Sequence, residues 1–230
     1  MKYYPIFLDI KGRSCLVVGG GDVGTRKVEM LLDCGASVTV VSINVSDTLN
    51  RLSEDKRILL IKRAYRPSDL DGRFLLIGAT NDEDLNQQLS LDAEKRNLLC
   101  NIADRPEACS FILPAIIRRG DLVLAVSTSG KSPALAKKLR KELERQFGEA
   151  YAVLLDLMGA VRKRLLTQKH APEEHKPFFQ KIIYSDIISW IQNRQFEKIN
   201  DLLFDILGPG YTLEDLLTPD FSHNETKGKT

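Results

Sequence analysis

Residues 14–35 read SCLVVGGGDVGTRKVEMLLDCG, and their reading decides the fold. An apolar, valine-rich run ends in three consecutive glycines, after which the apolar spacing changes from that of a strand to that of a helix. SCLVVG (14–19) is predicted as the first strand and DVGTRKVEMLLDCG (22–35) as its helix, closed by Gly35. Between them, Gly19-Gly20-Gly21-Asp22-Val23-Gly24 fits G-x-G-x-x-G at the junction where a dinucleotide loop belongs. Gly19 permits the tight turn, Gly21 lets a pyrophosphate approach the backbone, and Gly24 allows close helix packing. The helix N-terminus, starting at Asp22 and Val23, offers amides and a favourable dipole to an anion.

The pattern repeats outward from this unit. SVTVVS (37–42) is a second strand, 46–56 a polar helix, ILLIKR (58–63) a third strand and RFLLIGAT (73–80) a fourth. Asn81 is placed to cap the helix that follows, and LLCNIA (98–103) is a fifth strand. Strands alternating with helices give an α/β, doubly wound parallel sheet of the Rossmann type. In such sheets ligands lie beyond the carboxyl ends of the strands, which nominates Ser42, Asn44 and Thr80 for the cofactor. The acidic residue that usually holds the adenine ribose is missing after the second strand. Ser42 or Asn44 serves a ribose hydroxyl instead, and no arginine or lysine stands there to accept a 2′-phosphate, so NAD is favoured over NADP.

Beyond Pro106 the character changes. SFILPAIIRRGDLVLAVSTS (110–129) reads as two extended runs joined at Arg119-Gly120-Asp121, with Pro114 tolerable only at an edge. The following SPALAKKLRKELERQFG is an amphipathic helix with Ser132 as N-cap and Pro133 at its first position. From Tyr151 to about Leu217 the pattern is helical, with Trp190 and several phenylalanines expected in its core. Gly130-Lys131-Ser132 looks like the end of a triphosphate loop, but the glycine required five positions before Gly130 is Ala125, and Pro133 offers no amide. An ATP site is therefore rejected, although the hydroxyls and Lys131 still suit an anion.

Bulk properties narrow the classes further. The 230 residues carry a formal charge of +2, which gives no general case for nucleic acid. The four cysteines lack the paired spacings of zinc sites and read as reduced thiols. No apolar run is long enough to span a bilayer, so a soluble, cytoplasmic protein is expected. Residues 221–230 read as a disordered tail. His170, His175 and His223 are too scattered to argue a metal site.

The reaction must come from the stretch after the fifth strand, CNIADRPEACSFILPA (100–115), which places Asn101 and Asp104 near the nicotinamide end. A carboxylate there can act as a base while hydride leaves for the cofactor. Aspartate equally begins turns before proline, and the residues alone leave both readings open.

These stretches, YPIFLDIKGRSCLVVGGGDVGTRKVEMLLDCGA, ATNDEDLN, CNIADRPEACSFILPAII and LVLAVSTSGKSPALAKKLR, together resemble precorrin-2 dehydrogenase, the dehydrogenase and chelatase module of siroheme synthase. The likeness runs from about Tyr4 to Arg140. It implies NAD-dependent oxidation of precorrin-2 to sirohydrochlorin and, in some members, ferrous iron insertion to give siroheme, with the metal as substrate. It implies that Asp104 is catalytic, that Gly21, Asp22 and Val23 hold the pyrophosphate, and that Ile43 and Asn44 lie on the adenosine side. It also implies a homodimer built on a central region. The expected division is 1–112 for NAD binding, 113–148 for dimerisation and 149–220 for a small all-helical domain. Where some bifunctional members carry a phosphorylatable serine, Thr128 stands here.

Between Arg118 and Arg145, eight basic residues face three acidic ones, a surface suited to a tetrapyrrole polycarboxylate. Asn101, Arg105, Thr128, Ser129, Gly130, Lys131 and Ser132 are accordingly the expected substrate-binding set. Two other functions remain open at this point: a non-catalytic dinucleotide-sensing module, which would not need Asp104 or the basic helix, and another small-molecule dehydrogenase.

Overall fold

The computed structural model describes residues 2–103, 105–167 and 175–217. Asp104, His170, His223 and the expected tail at 221–230 lie outside the described residues. The chain divides into two compact units, the first Met1–Leu113 with Ser129–Lys131, the second Pro114–Thr128 with Ser132–Thr230.

In the first unit, β1 (Ser14–Gly20), β2 (Ser37–Val45), β3 (Leu59–Ile61), β4 (Leu75–Gly78) and β5 (Leu99–Ile102) form one parallel sheet in the order β3-β2-β1-β4-β5. Strand residues alternate between its faces. Cys15 and Val17 join the core beneath α1 (Asp22–Asp33) and α2 (Asp47–Glu54), with Val28, Leu31, Leu49 and Leu52. Leu16 and Val18 join the opposite core with Leu76, Ile102 and Leu89 of α3 (Glu83–Glu94). Both faces are covered, as an all-parallel sheet requires. Burying each of the fully enclosed leucines, such as Leu16, Leu76 and Leu89, contributes about 2 kcal/mol.

The departures from expectation are local. β2 runs on to Val45, so Ile43 and Asn44, expected just past the strand, lie within it together with Ser42. Asp82, not Asn81, caps α3: its carboxylate accepts the Leu85 N–H at 3.0 Å. The run after Pro106 does not belong wholly to the hairpin. Ser110 instead lies along β5, its N–H donating to the Cys100 carbonyl at 2.9 Å and its hydroxyl accepting the Cys100 N–H at 2.8 Å.

In the second unit, β6 (Ala115–Arg119) and β7 (Leu122–Val126) form an antiparallel hairpin, with Gly120 at φ +54° in its turn. Pro114 immediately precedes β6, outside the ladder. The hairpin packs against α4 (Pro133–Gln146). Ser132 caps α4 as its sequence requires, its hydroxyl accepting the Leu135 N–H at 3.2 Å. The chain then continues as α5 (Ala150–Thr167), α6 (Lys176–Ile183), α7 (Ile187–Gln192), α8 (Phe196–Leu207) and α9 (Leu213–Leu216). Leu154, Leu157, Val161 and Leu165 recur at helical spacing on α5 and meet Ile182, Ile187, Ile199 and Leu203. Trp190, Phe178 and Phe179 pack against this core, whereas Phe204 is exposed. No described helix is long and apolar enough to cross a membrane.

Candidate functional site

The loops at the carboxyl ends of β1, β2, β4 and β5 emerge on one edge of the sheet, because the four strands are parallel. The glycines after β1 divide by what surrounds them. A Cβ on Gly19 would lie 2.2 Å from the Ala79 carbonyl oxygen, and Gly19 has φ +112°. A Cβ on Gly20 would meet the Asn44 carbonyl oxygen at 2.5 Å, and one on Gly24 the Gly19 oxygen at 2.1 Å. These three glycines are required by the chain's own close approaches. Gly21 is different. It has φ −78°, open to any residue, and among the described residues no atom beyond its chain neighbours lies within 4 Å of where its Cβ would be. Nothing among the described residues needs a glycine there, but a pyrophosphate resting on the backbone would.

Having no side chain, Gly21 leaves α1 without a side-chain cap. The Thr25 N–H reaches the Gly21 carbonyl at 2.9 Å, while the N–H groups of Asp22, Val23 and Gly24 precede the first internal bond and have no acceptor among the described residues. They fit the phosphates of a dinucleotide, as does the positive end of the helix dipole.

On the adenosine side, the Ser42 hydroxyl donates to the Asn44 carbonyl at 2.7 Å and keeps acceptor capacity for a ribose hydroxyl. Ile43 is 69% exposed at the strand end, an apolar platform. Thr80 is engaged internally. Its hydroxyl donates to Asn86 Oδ1 at 2.8 Å, and Asn86 Nδ2 donates to the Thr80 carbonyl at 3.0 Å. The pair fastens the β4 loop to α3, and Asn86, buried inside α3, gave no signal in the sequence.

After β5 the chain is bracketed on both sides of Asp104. The Ala103 N–H donates to the Gly78 carbonyl at 2.8 Å. Cys109 Sγ accepts the Ile102 N–H at 3.1 Å and faces the Ile102 and Arg105 carbonyls at 3.3 and 3.1 Å. Burial pushes the Cys109 thiol up, so its proton stays available for donation. Ser90 on α3 donates to the Ala108 carbonyl at 2.9 Å. Asn101 is buried and its Nδ2 donates to the Phe111 carbonyl at 3.0 Å, so its amide braces the returning chain. Arg105 is paired with Glu83 at 2.7 Å.

In the Ser127–Ser132 segment, the Thr128 hydroxyl donates to the Ser132 carbonyl at 3.0 Å and accepts the Ser132 N–H at 3.2 Å, closing the turn. Ser129, Gly130 and Lys131 are exposed. They group with the first unit, whereas Thr128 and Ser132 group with the second. Part of the basic surface is neutralised locally, Arg119 by Glu149, Lys138 by Glu142 and Arg140 by Glu144. Lys131 is in none of these ion pairs. Among the described residues no group of three His, Cys, Asp or Glu is placed to hold a metal.

Comparison with known proteins gives a consistent set of likenesses. A family model described as putative NAD(P)-binding matches residues 6–115, and one described as sirohaem biosynthesis protein central matches 119–146. The chain is 37% identical over 224 residues to siroheme synthase 2 of Klebsiella pneumoniae, covering 97% of this chain and 47% of that one. It is 38% identical over 189 residues to the siroheme synthase of Vesicomyosocius okutanii, covering 82% and 40%. It thus spans less than half the length of these curated relatives. Among solved structures, SirC, a precorrin-2 dehydrogenase, superposes with a TM-score of 0.74 at 30% identity, covering 86% of this chain and 98% of that one.

Proposed function

Since this chain belongs to the precorrin-2 dehydrogenase family, we propose that it oxidises precorrin-2 to sirohydrochlorin with NAD in siroheme biosynthesis, in the cytoplasm. The observation that carries the proposal is the near-complete coverage of the SirC dehydrogenase, in company with a glycine loop whose Gly21 is open to a ligand and not required by packing.

NAD, when bound, supplies the hydride acceptor. The residues of the chain do the rest. The N–H groups of Asp22, Val23 and Gly24 hold the pyrophosphate, Ser42 and Asn44 the ribose, and Ile43 the adenine face. Gly19 serves by letting Ala79 approach the loop. Removal of two electrons and a proton as hydride leaves one further proton on the macrocycle, and Asp104 takes it as base. Its neighbours Ala103 and Arg105 are anchored by Gly78 and Cys109. Asn101 and Thr80 are assigned a bracing role through the internal bonds they make. Substrate carboxylates fall to the exposed Ser129, Gly130 and Lys131, with Thr128 and Ser132 shaping their turn. Arg105, held by a Glu83 that is 80% exposed, can exchange that partner for a substrate carboxylate.

Purified protein given precorrin-2 and NAD should produce NADH and sirohydrochlorin absorbance together, and Asp104→Ala should lower kcat by about a hundredfold or more. No turnover by the wild type, or equal turnover by the variant, overturns the assignment of the reaction or of the base respectively. The siroheme synthase relatives favour a second step, insertion of ferrous iron into sirohydrochlorin, with Asp104 taking a pyrrole proton as the metal enters. Sirohydrochlorin with ferrous or cobalt ion, with and without protein, tests it directly.

A further inference from the structure

Thr25 and Ser46 are remote in sequence, yet their hydroxyls meet beside the glycine loop. Thr25, 9% exposed, lies on the first turn of α1, and Ser46 is the N-cap of α2. Their hydroxyl oxygens are 2.8 Å apart. Thr25 Oγ1 also lies 3.0 Å from the Gly21 carbonyl oxygen, which can only accept. Each hydroxyl has one proton, so the direction of the chain follows. Thr25 donates to Gly21, Ser46 donates to Thr25, and the Leu49 N–H donates to Ser46 at 3.3 Å. Ser46 adds a backbone bond, its N–H reaching the Gly20 carbonyl at 2.9 Å.

The consequence follows from peptide planarity. A trans peptide fixes its N–H opposite its carbonyl, so pinning the Gly20 and Gly21 carbonyls fixes the directions of the Gly21 and Asp22 N–H groups. Glycine has the most backbone freedom of any residue, and three in succession would otherwise leave these donors poorly aimed. The same hydroxyl chain joins the loop after β1 to the end of β2, the two parts that would hold the pyrophosphate and the adenosine.

We infer that Thr25 and Ser46 are positioning residues for dinucleotide binding, acting through the Gly20 and Gly21 peptides to aim the amides at the pyrophosphate. The inference rests on the assignment of Gly19–Gly24 as the NAD loop. It is tested by calorimetric titration of the full chain with NAD and with ADP-ribose. Thr25→Val keeps the shape and removes the hydroxyl, and both ligands should weaken by about three- to tenfold. Thr25→Ser restores the donor and should bind within about twofold of the wild type. Ser46→Ala keeps its backbone bond to Gly20 and should show a smaller loss. In turnover the defect should appear in KM for NAD more than in kcat. Wild-type-like binding by Thr25→Val, or a Thr25→Ser variant as weak as the valine form, overturns the inference alone. A wild type that binds neither NAD nor ADP-ribose removes the loop assignment on which it rests.

Discussion

Gly21 and Gly24 stand three residues apart in one motif, yet alanine should affect them in opposite ways. At Gly24 the new Cβ would collide with the Gly19 carbonyl oxygen, a backbone atom that cannot swing aside, so Gly24→Ala should destabilise the protein by at least ~2 kcal/mol. At Gly21 the backbone is ordinary and no described neighbour crowds the position. Gly21→Ala should leave the melting temperature at or slightly above that of the wild type while weakening NAD by tenfold or more. Calorimetric melting and NAD titration of the two variants separate a glycine kept for the fold from one kept for a ligand. The motif spacing marked Gly19, Gly21 and Gly24 but not Gly20, whose need arises from Asn44, distant in sequence. Thr25, Ser46, Asn86 and Cys109 escaped for the same reason: each owes its role to a partner that only the folded chain brings near.

At the level of elements, what was legible depended on whether the signal was local. Ser132-Pro133 announced the start of α4 because cap and first turn are adjacent in sequence, and Ser132→Ala should cost about 1 kcal/mol in denaturant unfolding. Asn81 and Asp82 are equally good caps by residue type, and only the geometry of the fold chooses Asp82 for α3. The extra length of β2 depends on pairing beside Gly20, which no period within β2 reveals. The turn after β3 depends on a pairing that sequence left unremarked. Asp69 is 8% exposed and receives Arg63 at 2.6 and 2.8 Å and the Arg66 N–H at 2.9 Å. The Arg63 bonds hold its carboxyl below the usual range. A depressed folded value means that this contribution is full above the unfolded value of about 4 and is lost as pH falls through the lower one. Asp69→Asn should therefore lower stability by about 2 kcal/mol at pH 7 and narrow the gap to the wild type in acid, as read by unfolding at stepped pH.

For the whole molecule, each unit has its own apolar core, and the exposed side chains ask for partners. The division of labour proposed for residues 1–112, 113–148 and 149–220 includes dimerisation through the central region, where Ile116 and Leu135 are 37% and 47% exposed. Sedimentation should give a particle of twice the 25.9 kDa chain mass, and a monomer at micromolar concentration would refute the dimer. The four cysteines offer a separate check. Burial pushes the Cys15 thiol up to about 11 and the Cys100 thiol up to about 12, whereas Cys34 is exposed. Native protein at pH 8 should release one equivalent of thiol quickly to a chromogenic disulfide and four once unfolded.

β5 ends the sheet, and a terminal strand normally leaves alternate amides to solvent. Here the Cys100 amide is taken by the Ser110 hydroxyl and the Ile102 amide by the Cys109 sulfur. Two side chains thus imitate a sixth strand. To a deuterium label, this rim should look like the interior: both amides should exchange on the timescale of the central strands, and they offer no donors for edge-to-edge pairing with another strand.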